Sequence, residues 1–210
     1  MNKTIIQHSS LSEVDVIASS GNFIIELIKR LGEKDYKPLI EISYSLAEEY
    51  GEKYILNDNT IGKYFNREGS LPIIARFQKK IIGYIIGMPL ELLSQEPWCR
   101  LDENYGKFNT LYTYAFVIQN KYKKNGYAKT LKKVYLNWAK KREGVIFSTG
   151  HVKKGISSKF KGKVEIINQI ENWQGTGEIF EYYRRDLDPE KIHQKKLGNS
   201  DIYINYKKLS

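Results

Sequence analysis

Between residues 110 and 151 the chain reads strand, glycine turn, helix, strand, and this order restricts the fold more than any other stretch. Thr110 to Ile118 is an aromatic and β-branched run of strand type, and Gln119 to Asn125 is a polar turn. From Gly126 to Lys141 the apolar positions Ala128, Leu131, Val134, Tyr135 and Trp138 recur at helical spacing. Gly144 stops that helix, and Val145 to His151 is again strand-like. Two strands joined by a crossover helix lie parallel, side by side, in one sheet. The same unit has a chemical consequence. A strand that leads through a turn into a helix N-terminus aims several unpaired N–H groups and the positive end of the helix dipole at one point, and that point attracts phosphate. Gly126, lacking a Cβ, permits close approach of an anion to the backbone, and Ala128 keeps the second approach small. Lys121, Lys123, Lys124, Lys129, Lys132 and Lys133 crowd around this turn.

The flanking segments fit a mixed α/β fold. Asn22 to Leu31 alternates as a first strand, and Glu33-Lys34-Asp35 caps a helix with apolar positions Leu39, Ile42, Leu46 and Ala47. Asn57 to Thr60 turns into a second short helix ending near Phe65. The Ile-rich runs Leu71 to Phe77 and Lys80 to Met88 read as an antiparallel hairpin. Leu90 to Asn109 is a long excursion, of the kind that often carries function. After a short helix at Ser157 to Lys161, Val164 to Trp173 and Glu178 to Leu187 pair as a closing hairpin. Residues 1–21 show little core-forming pattern and read as an N-terminal extension. Residues 188–210 read as a C-terminal extension, with a helix capped by Asp188 and Pro189 and a strand at Ile202 to Tyr206.

Composition narrows the classes. The single Cys99 excludes an internal disulfide and a cysteine-rich metal site and fits a reducing cytosol. There is no run of about 18 apolar residues and no basic-then-apolar leader, so the expectation is a cytoplasmic protein without a membrane partner. A net charge of +10 favours polyanionic partners: nucleic acid, anionic lipid or a phosphorylated cofactor. Sixteen Tyr suggest amphipathic strand surfaces or a lined cleft.

The turn Lys123-Lys124-Asn125-Gly126-Tyr127-Ala128 resembles the phosphate turn of the GNAT acyltransferases, which reads Arg or Gln, two variable residues, Gly, one variable residue, then Gly or Ala. Phe116 to Tyr122 is similar to the approach to that turn. Lys123 replaces the usual Arg or Gln, and Asn120 stands where Pro is common. The order of elements over residues 22–187 matches the family as well. The resemblance implies a mixed, mostly antiparallel twisted sheet of about seven strands flanked by helices, with parallel strands that splay at a coenzyme A site. Acetyl-CoA is then the co-substrate, with no metal. Phe116, Val117 and Ile118 would hold the pantetheine arm, and Lys123, Lys124, Asn125, Gly126, Tyr127, Ala128 and Lys129 the pyrophosphate.

The implied reaction moves an acetyl group to an amine of a small molecule or protein. An amine with a lysine-like pKa of about 10.4 must lose a proton before it attacks. The family often uses a carboxylate on or beside the motif strand as base and a Tyr in the later short helix as acid. Thr110 to Ile118 contains neither Asp nor Glu, and Phe160 stands where that Tyr is expected. His151 is the first candidate base, with Tyr112 or Tyr114 next; Trp98, Glu91 and Glu96 are candidates for the acceptor pocket or simply cover the sheet. Two alternatives stand beside catalysis: a GNAT-like domain that binds coenzyme A without turnover, and a basic nucleic-acid-binding module whose tyrosines stack on bases. Monomer and homodimer are both compatible with the sequence.

Overall fold

The computed structural model describes residues 10–188. Eight strands form one sheet in the order β1-β2-β3-β4-β5-β6-β8-β7. They are β1 Glu13–Ser20, β2 Phe23–Arg30, β3 Leu71–Phe77, β4 Lys80–Pro89, β5 Thr110–Ile118, β6 Phe147–Lys153, β7 Val164–Ile170 and β8 Phe180–Asp186. Four helices accompany them: α1 Tyr36–Tyr50, α2 Asp58–Phe65, α3 Pro97–Arg100 and α4 Tyr127–Lys141. All neighbouring strands are antiparallel except β5 and β6.

The sheet has eight strands rather than about seven because β1 falls in the segment read as an extension. Its side chains are exposed or half-buried throughout, so an edge strand leaves no apolar pattern for sequence to reveal. The tail helix expected after Asp188 and the strand expected at 202–206 lie outside the described residues.

Helices cover both faces. Leu39, Ile42 and Leu46 of α1 and Ile61 and Phe65 of α2 pack with Ile74, Tyr84, Ile86 and Tyr112 on one face. Leu131, Tyr135 and Ala139 of α4 pack with Ile73, Ile85 and Leu111 on the other. Full burial of each Leu, Ile or Phe among them stabilises the fold by roughly 1.5–3 kcal/mol. Local signals set the elements: Asn57 caps α2 in a reciprocal box with Thr60, and Gln78 and Lys79 close the β3–β4 hairpin with φ of 49° and 67°. Asp35, expected to cap α1, makes no capping bond. Its carboxylate instead accepts from Arg76 at 2.8 Å and Ser12 at 2.7 Å, tying the start of α1 to β3 and to the residues before β1.

Two irregularities create the site. Register between β4 and β5 shifts so that Ile86 faces Ala115 while Gly87 faces Thr113, leaving Tyr114 as a bulge residue. A bulge bends its strand and re-aims the side chains beyond it. On the other edge, β5 pairs with β6 only at Thr110, Leu111 and Tyr112, although both strands continue. β6 stays paired with β8 from Phe147 to Lys153, so β6 follows β8 and leaves β5.

Candidate active site

The gap between β5 and β6 opens into a cleft of about 590 Å³. Its β5 wall runs from Tyr112 to Ile118, and its β6 wall includes His151, Val152 and Lys153. Glu49, Tyr50 and Tyr54 close it from the α1 side, Ala128 and Lys132 from α4, and Ile156, Phe160 and Tyr183 from the far side. Beyond Tyr112 the edge of β5 that faces β6 has no strand partner among the described residues, so its backbone groups can pair with an extended ligand.

One end of the cleft meets the phosphate-type turn. Gly126 is the N-cap of α4 with φ 79°, and no side chain caps the helix. A Cβ built on Gly126 meets nothing within 4 Å among the described residues, so the space beside this turn is open to them. Lys124 also has a left-handed backbone, φ 68°, and the Asn125 side chain donates to the carbonyls of Tyr122 and Lys123, which braces the turn. Lys123 lines the cleft and is paired with Glu49 at 2.9 Å, both about half exposed. Lys124 and Lys129 are exposed. Tyr127 does not enter the cleft wall: its ring stacks on Phe23 at 4.5 Å and packs near Phe77.

At the closed end the two strands exchange side-chain contacts. Tyr112 is buried, and its hydroxyl lies 2.9 Å from His151 Nδ1. The imidazole is 5% exposed and sandwiched between Trp173 at 3.8 Å and Tyr182 at 4.7 Å, with Trp98 edge-on. Burial without a charged partner pushes its pKa down to about 3, so the ring is neutral at physiological pH. Nε2 of the ring is buried and has no hydrogen-bond partner among the described residues. Tyr114, on the bulge, stacks on Tyr64 at 4.5 Å, and burial raises its pKa far above the ordinary tyrosine value. Tyr182 in turn donates to Asp102 at 2.6 Å, and Arg184 pairs with the same buried carboxylate at 3.4 Å.

The remaining candidates are held by contacts of their own. Glu91 accepts from the amides of Gly106 and Phe108 and so holds the 90–109 excursion together. Glu96 pairs with Lys53, and Trp98 packs against Tyr112, His151 and Tyr182. Phe160 stands in the cleft wall with its ring edge against Tyr183. Tyr183 supplies a phenol there from β8, opposite Gly150, whose missing side chain leaves room for the ring. Sequence reading missed Tyr183, although adjacent tyrosines on a strand must point to opposite faces. It also counted Lys132 only as one of a crowd; the signal was its position four residues after Ala128 on one helix face. Among the described residues no cluster of His, Cys, Asp or Glu is arranged to hold a metal ion, and no helix is long and apolar enough to cross a membrane.

Splayed parallel strands that open onto an uncapped helix N-terminus can seat an extended, phosphate-bearing molecule, and comparison with known proteins identifies the same frame. The sequence model of the Acetyltransferase (GNAT) family matches residues 36–154, more than half of the chain. The chain belongs to the GNAT acetyltransferase family. No curated protein matches it. Among solved structures it is similar to yncA from Salmonella typhimurium, determined with its cofactor acetyl-CoA: TM-score 0.58, 13% identity, 80% of this chain and 96% of that one. It is similar to an aminoglycoside 6'-N-acetyltransferase complexed with coenzyme A: TM-score 0.56, 14% identity, 80% and 98% covered. The ribosomal-protein-S18-alanine N-acetyltransferase of Escherichia coli gives TM-score 0.54 at 11% identity, with 79% and 94% covered. At these identities the likeness is one of GNAT fold.

Proposed function

We propose that this GNAT chain transfers an acetyl group from acetyl-CoA to an amine, as a cytoplasmic N-acetyltransferase. The observation that carries the reading is the three-pair contact between β5 and β6, which leaves a cleft running from a free strand edge to the open turn at Gly126. The α4 amides, Lys123, Lys124 and Lys129 would take the pyrophosphate, with Asn125 holding the turn in shape. Gly126 and Ala128 would keep the approach clear. The β5 edge at Phe116, Val117 and Ile118 would pair with the pantetheine arm as a strand does. Bound in this way, acetyl-CoA supplies a thioester, the activated acyl group of the reaction.

The protein's own part is to desolvate, orient and move protons. Tyr112 and His151 form a hydrogen-bonded pair on the cleft wall, and His151 is neutral, so it can accept a hydrogen bond. Burial strongly disfavours its charged form and makes it a weak base, so in this reading His151 orients the Tyr112 hydroxyl and never holds the proton itself. Tyr114 and Tyr183 remain protonated and are hydroxyl donors in the same wall. The test is calorimetric titration of the full chain with acetyl-CoA and with free coenzyme A. Micromolar binding supports the reading, and absence of binding at millimolar ligand rejects it.

A further inference from the structure

Lys132 lies on α4 four residues after Ala128, on the side of the helix that lines the cleft. Its Nζ stands 3.4 Å from Thr113 Oγ1. Thr113 is the first β5 residue beyond the last pair with β6, so the amine sits at the closed end of the split. The rings of Phe116 and Tyr135 lie 5.6 and 5.1 Å from it. The groups around it are Tyr135 on its own helix, Thr113 and Phe116 on β5, with Ser148 of β6 behind Thr113, and Arg185 and Tyr183 on β8. None is an acid. Lys123 has Glu49, but among the described residues no carboxylate pairs with Lys132.

We propose that Lys132 is a self-acylation site: its amine takes the acetyl group of the thioester bound in the cleft, giving acetyl-lysine at position 132 and a free thiol. This rests on the reading that the cleft holds acetyl-CoA. The lone pair of neutral Nζ forms a bond to the thioester carbonyl carbon, and the C–S bond breaks. Sulfur leaves with the electron pair and takes up the proton that nitrogen releases, so no further reactant is consumed. Only a neutral amine has that lone pair. Burial, with the nearby Arg185 charge adding to it, lowers the Lys132 pKa to about 7. About half of the amines are then neutral at pH 7, a fraction on the order of a thousandfold larger than for an exposed lysine. Lower basicity reduces intrinsic nucleophilicity, so a smaller rate advantage is expected than this ratio.

The experiment incubates the full chain with acetyl-CoA at pH 7, without any acceptor, and maps acetyl-lysine by peptide mass spectrometry. Acetylation of Lys132 is expected to run at least roughly tenfold ahead of the exposed Lys121, Lys124 and Lys133. Excess free coenzyme A should suppress it at Lys132 and not at the others, and Lys132→Arg should abolish the site. A parallel arm uses limiting acetic anhydride, which needs no binding site; it should label Lys132 before the exposed lysines, and the opposite order overturns the reactive amine. Titration of the same preparation with acetyl-CoA separates the two ways of failing. Binding without acetylation of Lys132 overturns this inference and leaves the cleft assignment standing, whereas no binding removes both.

Discussion

Replacing Gly126 separates two roles of one residue. Its φ of 79° is a conformation that Ala adopts at a cost of about 1–2 kcal/mol, whereas Asn tolerates it well. Among the described residues, its chain neighbours aside, no heavy atom lies within 4 Å of the added Cβ, so the methyl of Ala and the first carbon of Asn both have room. Gly126→Ala should therefore lower the melting temperature by roughly 2–8 °C, at about 2–4 °C per kcal/mol for a chain of this size. Gly126→Asn should melt within about 2 °C of the native chain. Both place atoms in the open space above the helix N-terminus, where the pyrophosphate is proposed to sit. Losing one charge-assisted hydrogen bond costs about 1.5–3 kcal/mol, so acetyl-CoA affinity should fall roughly tenfold to a hundredfold in both variants. Differential scanning fluorimetry reads the first effect and calorimetry the second. The decisive result is Gly126→Asn: a variant that melts like the native chain and also binds acetyl-CoA as tightly would refute the placement of the phosphate on this turn.

Three further outcomes follow from the buried groups around β6. His151 has a folded pKa of about 3 against an ordinary 6.5, so the unfolded chain binds the extra proton: its contribution to stability is complete above pH 6.5 and is lost as pH falls towards 3, by up to about 1.4 kcal/mol per pH unit. Urea unfolding of native chain and His151→Gln at several values between pH 6.5 and 5 should show a shallower loss in the variant; parallel curves would contradict the buried neutral imidazole. Tyr112→Phe removes the partner of His151 Nδ1 and should destabilise by about 1–3 kcal/mol while leaving calorimetric acetyl-CoA affinity within about threefold; a total loss of binding would show that Tyr112 acts on the co-substrate directly. Asp102→Ala leaves the buried Tyr182 hydroxyl without its acceptor and Arg184 with Glu103 as its remaining carboxylate, and should cost about 1–3 kcal/mol in thermal or urea unfolding.

Much of this was legible in sequence where signals are local. Periodicity and turn signals gave α1, α2 and α4, alternation and turn residues gave β2 to β5 and the closing hairpin, and Gly126 marked the start of α4. Legibility failed where the determinant was a neighbour distant in sequence. β1 is an edge strand whose residues stay exposed, so pairing with β2 rather than burial defines it. Asp35 looks like a cap until Arg76 arrives from β3. Tyr127 belongs to the motif by spacing, yet the aromatic ring of Phe23 draws its side chain away from the cleft.

The sequence by itself determined the order of elements, the parallel crossover and the glycine at a helix start, because turn chemistry and side-chain periodicity act within a few residues. Only the tertiary structure decided that β5 and β6 part after Tyr112, since that depends on the bulge at Tyr114 and on β8 holding β6 along its whole length. Folding also sorted the candidates. It buried His151 among Trp98, Trp173 and Tyr182, from three separate parts of the chain, and so fixed it as a neutral ring. Other neighbours, Thr113, Phe116 and Tyr135, set Lys132 apart from the solvated lysines around it, because desolvation is a property of the space a side chain occupies and not of its neighbours in sequence.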